Sequence, residues 1–333
     1  MNRLSTAERA RIIGCLTEGM SIRATSRLTG ASQNTILKLL VDLGRVCAEY
    51  QDRVFHDLPC RHIEADEIWA FCKAKARNVP EQHRDEFGWG DVWTWTAIDA
   101  DTKLIVSWLV GSRDAEAAHA FMADVASRLR YRVQLTTDAH KAYLEAVEDA
   151  FGSNIDYAQL VKMYGSPASQ DESPTARRYS PNVCTGVEVR VITGDPESSR
   201  ISTSYIERSN LTLRMGNRRF TRLTNAFSRR VENHAASVSL FMFHYNFGRV
   251  HRSLANPYPR TPAMAAGVSD HVWTCEEIAG LVEQDGALRD TLLRCASHGR
   301  SSSTGRKSTS SSSRWSLPPT RAATRTRLSG ESR

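Results

Sequence analysis

Apolar and polar positions over the first 55 residues alternate at helical spacing. Thr6 and Glu8 open a run that carries Ile12, Ile13 and Leu16 on one side and stops at Gly19. Ser21 opens a second run with Ile22, Ser26 and Leu28 as its inward side, and Gln33 to Leu43 forms a third through Ile36, Leu37, Leu39 and Leu40. Between the last two, Gly30-Ala31-Ser32 has the makings of the turn in a helix-turn-helix. A glycine serves the positive φ, a serine caps the next helix, and the small Ser26 sits where the helices cross. The third helix then presents Gln33, Asn34, Thr35 and Lys38, side chains suited to base edges and phosphates in a major groove. A three-helix packing module without DNA contact has the same apolar pattern.

Beyond Leu58-Pro59-Cys60 the period shortens towards two. His62–Trp69 reads as a strand ending in carboxylates, and the β-rich runs Trp93–Asp99 and Leu104–Val110 flank a polar hairpin turn. A helix from about Asp114 to Arg130 and a strand, Arg132–Thr137, follow, the strand leading directly into Asp138. Three strands, helix, strand, helix, with acids on the first and at the end of the fourth strand, predict an α/β, ribonuclease-H-like fold. Its mixed sheet has flanking helices and is preceded by the all-α helix-turn-helix domain. Val187–Ile192 is the expected fifth strand, and Ser204–Arg214 the helix after it. Glu207 is that helix's only acid, with Asn210 and Arg214 on the same face. Ala226–Phe247 reads as an amphipathic helix with Val231, Ala235, Val238, Met242 and Tyr245 on one face.

Three acids brought together by such a fold suit a pair of hard divalent cations, Mg²⁺ or Mn²⁺, that serve displacement at phosphorus. Glu64 and Asp66 point to the same strand face and compete for the first position; Asp66 lies nearer the strand end. Taken singly, a carboxylate at a strand end is as often a turn or helix cap, so it is the joint pattern that points to chemistry. His140, His251 and Asn210 are possible accessory groups, the two histidines being equally well read as structural.

Charge sharpens the division of the chain. The net +7 belongs to residues 297–333, where eight basic residues face one acid, Glu331; the rest is neutral. Within it, residues 201–260 carry ten arginines against Glu207 and Glu232, and residues 1–55 eight basic residues against five acids. The Ser/Arg-rich 297–333 has too few aliphatic residues for a core and is expected to be disordered. Seven cysteines without Cys-x-x-Cys spacing argue against a disulfide framework or zinc site and for a reducing compartment. Neither a membrane-length apolar run nor a signal-like start is present, so a cytoplasmic, nucleoid-associated protein is expected.

Three motifs then resemble those of a DDE transposase, more narrowly the insertion sequence 1 family. They are Thr137-Asp138-Ala139-His140-Lys141-Ala142-Tyr143, Tyr205-Ile206-Glu207-Arg208-Ser209-Asn210, and Tyr245-Asn246-Phe247-Gly248-Arg249-Val250-His251-Arg252-Ser253-Leu254 with Thr261-Pro262-Ala263 after it. The resemblance covers about residues 5–265. It implies a metal-dependent Asp-Asp-Glu triad, placed by position on Asp66, Asp138 and Glu207, which cleaves and joins strands at terminal inverted repeats. Double-stranded DNA, both element ends and target, is the implied partner, and synapsis of two ends implies a homo-oligomer. Arg214, Arg249 and Arg252 join the helix-turn-helix residues as candidate DNA contacts. Two departures stand out. A cysteine finger common in the family is missing, since Cys15 is the lone cysteine of residues 1–20. The Asp138–Glu207 spacing is also long, which suggests an insertion at about 152–185 with a loop-like centre, Ser166 to Pro181. Glu188 and Glu172 are the fallbacks for the third acid.

The expected organisation is a DNA-binding domain over 1–55, a catalytic domain over 60–265, a helical extension over 266–296 and the tail over 297–333. Rival functions are a DNA-binding regulator with a decayed catalytic body, and a nuclease of the same fold without strand joining.

Overall fold

The computed structural model describes residues 4–165, 183–221, 224–254 and 256–285. Ser166 to Pro181, the centre of the expected insertion, the fallback Glu172 and the Ser/Arg-rich tail lie outside the described residues.

The helical N-terminus follows its caps. Helix α1 (Thr6–Thr17) starts at Ser5, which forms a reciprocal capping box with Glu8. Helix α2 (Ile22–Thr29) starts at Ser21 and ends at Gly30, whose φ of 74° is the left-handed value the turn requires. Ser26 Oγ donates to the Ala31 carbonyl at 2.7 Å, and Ser32 caps helix α3 (Gln33–Val54). Two expectations fail here. Leu28 is exposed, because the inward stripe of α2 runs through Ile22, Thr25 and Thr29 at positions three and four apart, and Leu28 falls off it. Helix α3 also continues eleven residues past Leu43, since Val46, Cys47, Ala48 and Gln51 are buried against the body of the protein.

One six-stranded sheet organises that body: β1 (His62–Cys72), β2 (Gly90–Asp99), β3 (Ile105–Gly111), β4 (Val133–Thr137), β5 (Ile155–Gly165) and β6 (Val183–Thr193), in the order β3-β2-β1-β4-β5-β6. The first three strands are antiparallel, β4 and β5 run parallel to β1, and β6 turns back against β5. This is the ribonuclease-H-like arrangement. Helices α4 (Ala115–Arg128) and α5 (Ala142–Phe151) supply the crossovers that parallel strands need. The fifth strand is therefore Ile155–Gly165, not Val187–Ile192, which belongs to the sixth, edge strand. Asp156, Gln159 and Lys162 interrupt the apolar run of β5, and that made it look like part of the insertion.

Period two along β1 separates two packing faces. Ile63 and Ala65 join the large core with Phe121, Met122 and Val125 of α4 and Tyr143 of α5. Ile68 and Ala70 face α6 (Ser204–Gly216) and α7 (Val231–Phe243) through Ile206, Leu213, Val238, Phe241 and Met242. Helix α7 begins at Val231, five residues later than its pattern suggested. It is buried nearly all round, because α3 covers the side away from the sheet. A final helix over 275–285 packs back on the N-terminal helices, where Arg9 and Arg45 pair with Glu283 and Asp285.

Candidate active site

The carboxylates are gathered by the sheet register. Parallel pairing sets Ala65 opposite Thr137, so Asp66 and Asp138 stand side by side at the carboxyl end of β4, where the chain leaves the sheet. Glu67, next along β1, departs from the opposite face. Its side chain nevertheless converges on the other two, because no β4 backbone continues past Thr137 to keep the faces apart. Ligand atoms of Asp66, Glu67 and Asp138 lie within 4.8 Å of one another.

Helix α6 closes the site from the other side. Glu64, buried beneath it, accepts the backbone N–H groups of Tyr205 and Ile206 at 2.8 and 2.9 Å, placing a carboxylate at the positive end of the helix. Glu64 does not line the cleft. Asn210 Nδ2 donates to Asp66 Oδ2 at 2.8 Å, which ties the helix to the first acid. Glu207, in the first turn of α6, accepts from Thr203 Oγ1 at 2.6 Å and pairs with Lys162 of β5. Its carboxylate faces the same cleft but stands outside the close group of three. The cleft, about 800 Å³, is lined by Asp66, Glu67, Asp138, Glu207, Asn210 and Arg214, together with Arg113, His140 and Lys162.

Burial and then like charge set its electrostatics. Burial, then the neighbouring Asp138 carboxylate, pushes the Asp66 carboxyl up to about 6. Burial likewise raises Glu67 to about 7, although the Tyr143 hydroxyl lies beside it and Arg113 Nε donates to its Oε2 at 3.1 Å. Arg113 also reaches Asp138 at 3.8 Å. The donor set is hard oxygen, close enough for one ion to touch several carboxylates, and carries more negative charge than Arg113 offsets. Those properties suit a hard divalent cation such as Mg²⁺ or Mn²⁺.

The other expected residues separate into two groups. Gln33, Asn34 and Lys38 are exposed on α3, with Thr35 half-buried beside its cap. Asn210, Arg214 and His140 line the cleft; the His140 ring stacks on Trp95, and burial lowers its pKa. Arg249 and Arg252 are exposed but outside the cleft. His251 packs edge-on against Tyr245, and burial lowers it to about 4, as for a structural ring. The fallback Glu188 is exposed on β6, paired with Arg190. Glu67, Arg113 and Lys162 were missed. Strand alternation puts Glu67 on the opposite face and does not show that its side chain bends back past the end of β4, and the two cations lie far away in sequence.

Fold and site thus define a ribonuclease-H-like domain with a carboxylate-lined cleft on its sheet and a three-helix segment at its N-terminus. No protein-family model and no curated protein matches the chain. Among solved structures, a piggyBac transposase synaptic complex with hairpin DNA is similar over 89% of this chain and 72% of its own, at 9% identity and a TM-score of 0.34.

Proposed function

We propose that the protein is a DDE-type transposase, resembling the insertion sequence 1 family, that cleaves and joins DNA strands at element ends. One observation carries this reading. Asp66, Asp138 and Glu207, from β1, the end of β4 and α6, line a single cleft with Asn210 and Arg214. Asp66 and Asp138 would hold the divalent metal, with Glu207 released from Lys162 to complete the set and Glu67 close behind. When bound, the metal pair supplies an activated water or 3′-hydroxyl and charge neutralisation at the phosphate.

The chain's own groups position these donors. Asn210 fixes the Asp66 carboxylate, Arg113 holds Glu67, and Glu64 anchors the helix that presents Glu207. Arg214, in the lining of the cleft, would meet the scissile phosphate. Gln33, Asn34, Thr35 and Lys38 read the inverted repeat, and two ends held together require at least a dimer. None of the described helices is long and apolar enough to cross a membrane.

The test is cleavage and strand transfer on a labelled duplex carrying the repeat that flanks this coding sequence, with Mg²⁺ or Mn²⁺. Wild type should nick and join, while Asp66→Asn and Glu207→Gln should bind the end and do neither. Nicking without joining would favour the nuclease; end binding without any chemistry would favour a regulator.

A further inference from the structure

A second concavity lies farther along the strand that carries Asp66. It has a volume of about 510 Å³ and is lined by Trp69, Phe71, Phe220 and Phe227, with Lys75 and Arg219 among them. Phe71 and Phe227 stack at 5.0 Å between centroids, Trp69 lies against Phe71 at 5.7 Å, and the Lys75 ammonium sits 6.0 Å from the Phe71 centroid. Trp69, Phe71 and Phe227 are only half-buried, so ring surface remains open to a ligand. The segment bearing Phe227 is held beside β1 by Lys73 N–H donating to the Ser228 carbonyl at 2.8 Å.

Arg219 does not fit a purely structural reading. Its Nη1 donates to Ser228 Oγ at 2.7 Å, but Nη2 is buried with no partner among the described residues. It makes no ion pair among them, and the buried His234 on the far side of Ser228 is held neutral. Burial pulls the Arg219 guanidinium down to about 10. A buried cation without a counter-charge is costly, and it is tolerated where an anion arrives to pair with it. Aromatic faces beside such a cation match one ligand chemistry, a base to stack and a phosphate to pair.

We infer that this pocket binds an unstacked nucleotide of single-stranded DNA, its base on Trp69, Phe71 and Phe227 and its phosphate at Arg219 and Lys75. Trp69 is three residues from Asp66, ~10 Å along the strand on its alternate face, and past Thr137 β1 has no β4 neighbour to keep the two faces apart, so the pocket would hold a nucleotide near the cleaved phosphate. The inference rests on the DNA-processing reading above. It adds a requirement that the strand be opened next to the cut, since a base inside a duplex has no free face.

The full chain would be titrated against a fluorescent single-stranded oligo-dT and a blunt duplex of equal length, read by anisotropy. Trp69→Ala and Phe227→Ala should each weaken single-strand binding about tenfold or more and leave duplex binding within about twofold, with Trp69→Phe restoring most of the loss. Arg219→Met should weaken it similarly while the melting temperature of the free protein holds or rises, because it removes an uncompensated buried charge. Single-strand affinity unchanged in these variants overturns the pocket and leaves the transposase reading intact. Binding of neither probe by wild type overturns both.

Discussion

At the scale of single residues, the site is a conflict of like charges that the fold does not resolve by itself. Asp66, Glu67 and Asp138 share one small volume, and Arg113 is the cation that touches two of them. A divalent ion bound there stabilises the folded state by mass action. Millimolar Mg²⁺ or Mn²⁺ should raise the melting temperature of the wild type by a few degrees, and Asp66→Asn should lose most of that rise; differential scanning fluorimetry with and without EDTA decides it. Glu64 does separate work. Both of its hydrogen bonds come from backbone N–H groups, which a Gln carbonyl also satisfies, so Glu64→Gln should cost under about 1 kcal/mol. Glu64→Ala, which uncaps α6 and leaves a cavity, should cost about 2–4 kcal/mol in urea melts and depress cleavage with it. A third test is electrostatic. Burial, reinforced by Arg219, lowers His234 to about 3, so the folded ring stays neutral while the unfolded one takes up a proton near 6.5. Below that pH the unfolded state binds more protons, and stability falls as pH falls. Relative to His234→Gln, wild type should lose about 1.6 kcal/mol between pH 6.5 and 5. Asp66 was readable as an acid on the first strand, a one-dimensional fact, although β1 runs on to Cys72 instead of ending in carboxylates. Glu67 was not, because its approach depends on where a different strand, β4, stops.

At the scale of elements, what could be read in advance were the pieces whose signals are local. The caps Ser21 and Ser32, the glycine turn at Gly30 and the β-rich runs of β1 to β4 each sit within a few residues of the structure they specify. The failures share a physical cause. The ends of α3 and α7 and the identity of β5 are set by what covers them, and covering partners lie far away along the chain. The crossing of α3 and α7 is the clearest instance. A Cβ added at Gly44 would come within 2.5 Å of the Ala236 Cα, and Ser239 Oγ donates to the Gly44 carbonyl at 2.6 Å. Only the absent side chain allows that approach. The contact is with backbone and has no rotamer to yield, so Gly44→Ala should cost about 2–3 kcal/mol, or roughly 5–10 °C in melting temperature. Gly30→Ala meets open space and pays only for its positive φ, about 1 kcal/mol. Equal losses at the two glycines would show that α3 and α7 do not meet so closely.

At the scale of the whole molecule, the Gly44 contact changes how the N-terminal helices relate to the cleft. The first half of α3 offers Gln33, Asn34 and Lys38 to solvent, and the second half is built into the core beside α7. α7 in turn packs, with α6, against the same sheet face that carries Asp66. On the proposed reading, recognition and chemistry would be joined through these buried helices, and a DNA end seated on α3 would reach the cleft at a fixed offset. The two functions should nonetheless separate on mutation, because no side chain is shared between them. Asn34→Ala and Lys38→Ala remove different things. If α3 reads the element end as proposed, the first removes a base-reading amide and should cost roughly tenfold or more in preference for that end over a random duplex. The second then removes a phosphate contact, and should weaken both duplexes alike and reduce the steepness of the salt dependence by about one ion. Neither should alter Mn²⁺-dependent nicking of random-sequence DNA at saturating protein, measured beside Asp66→Asn as the inactive control. Loss of that nicking in Asn34→Ala would mean that α3 contributes to the chemistry itself, and that recognition and catalysis form one continuous surface.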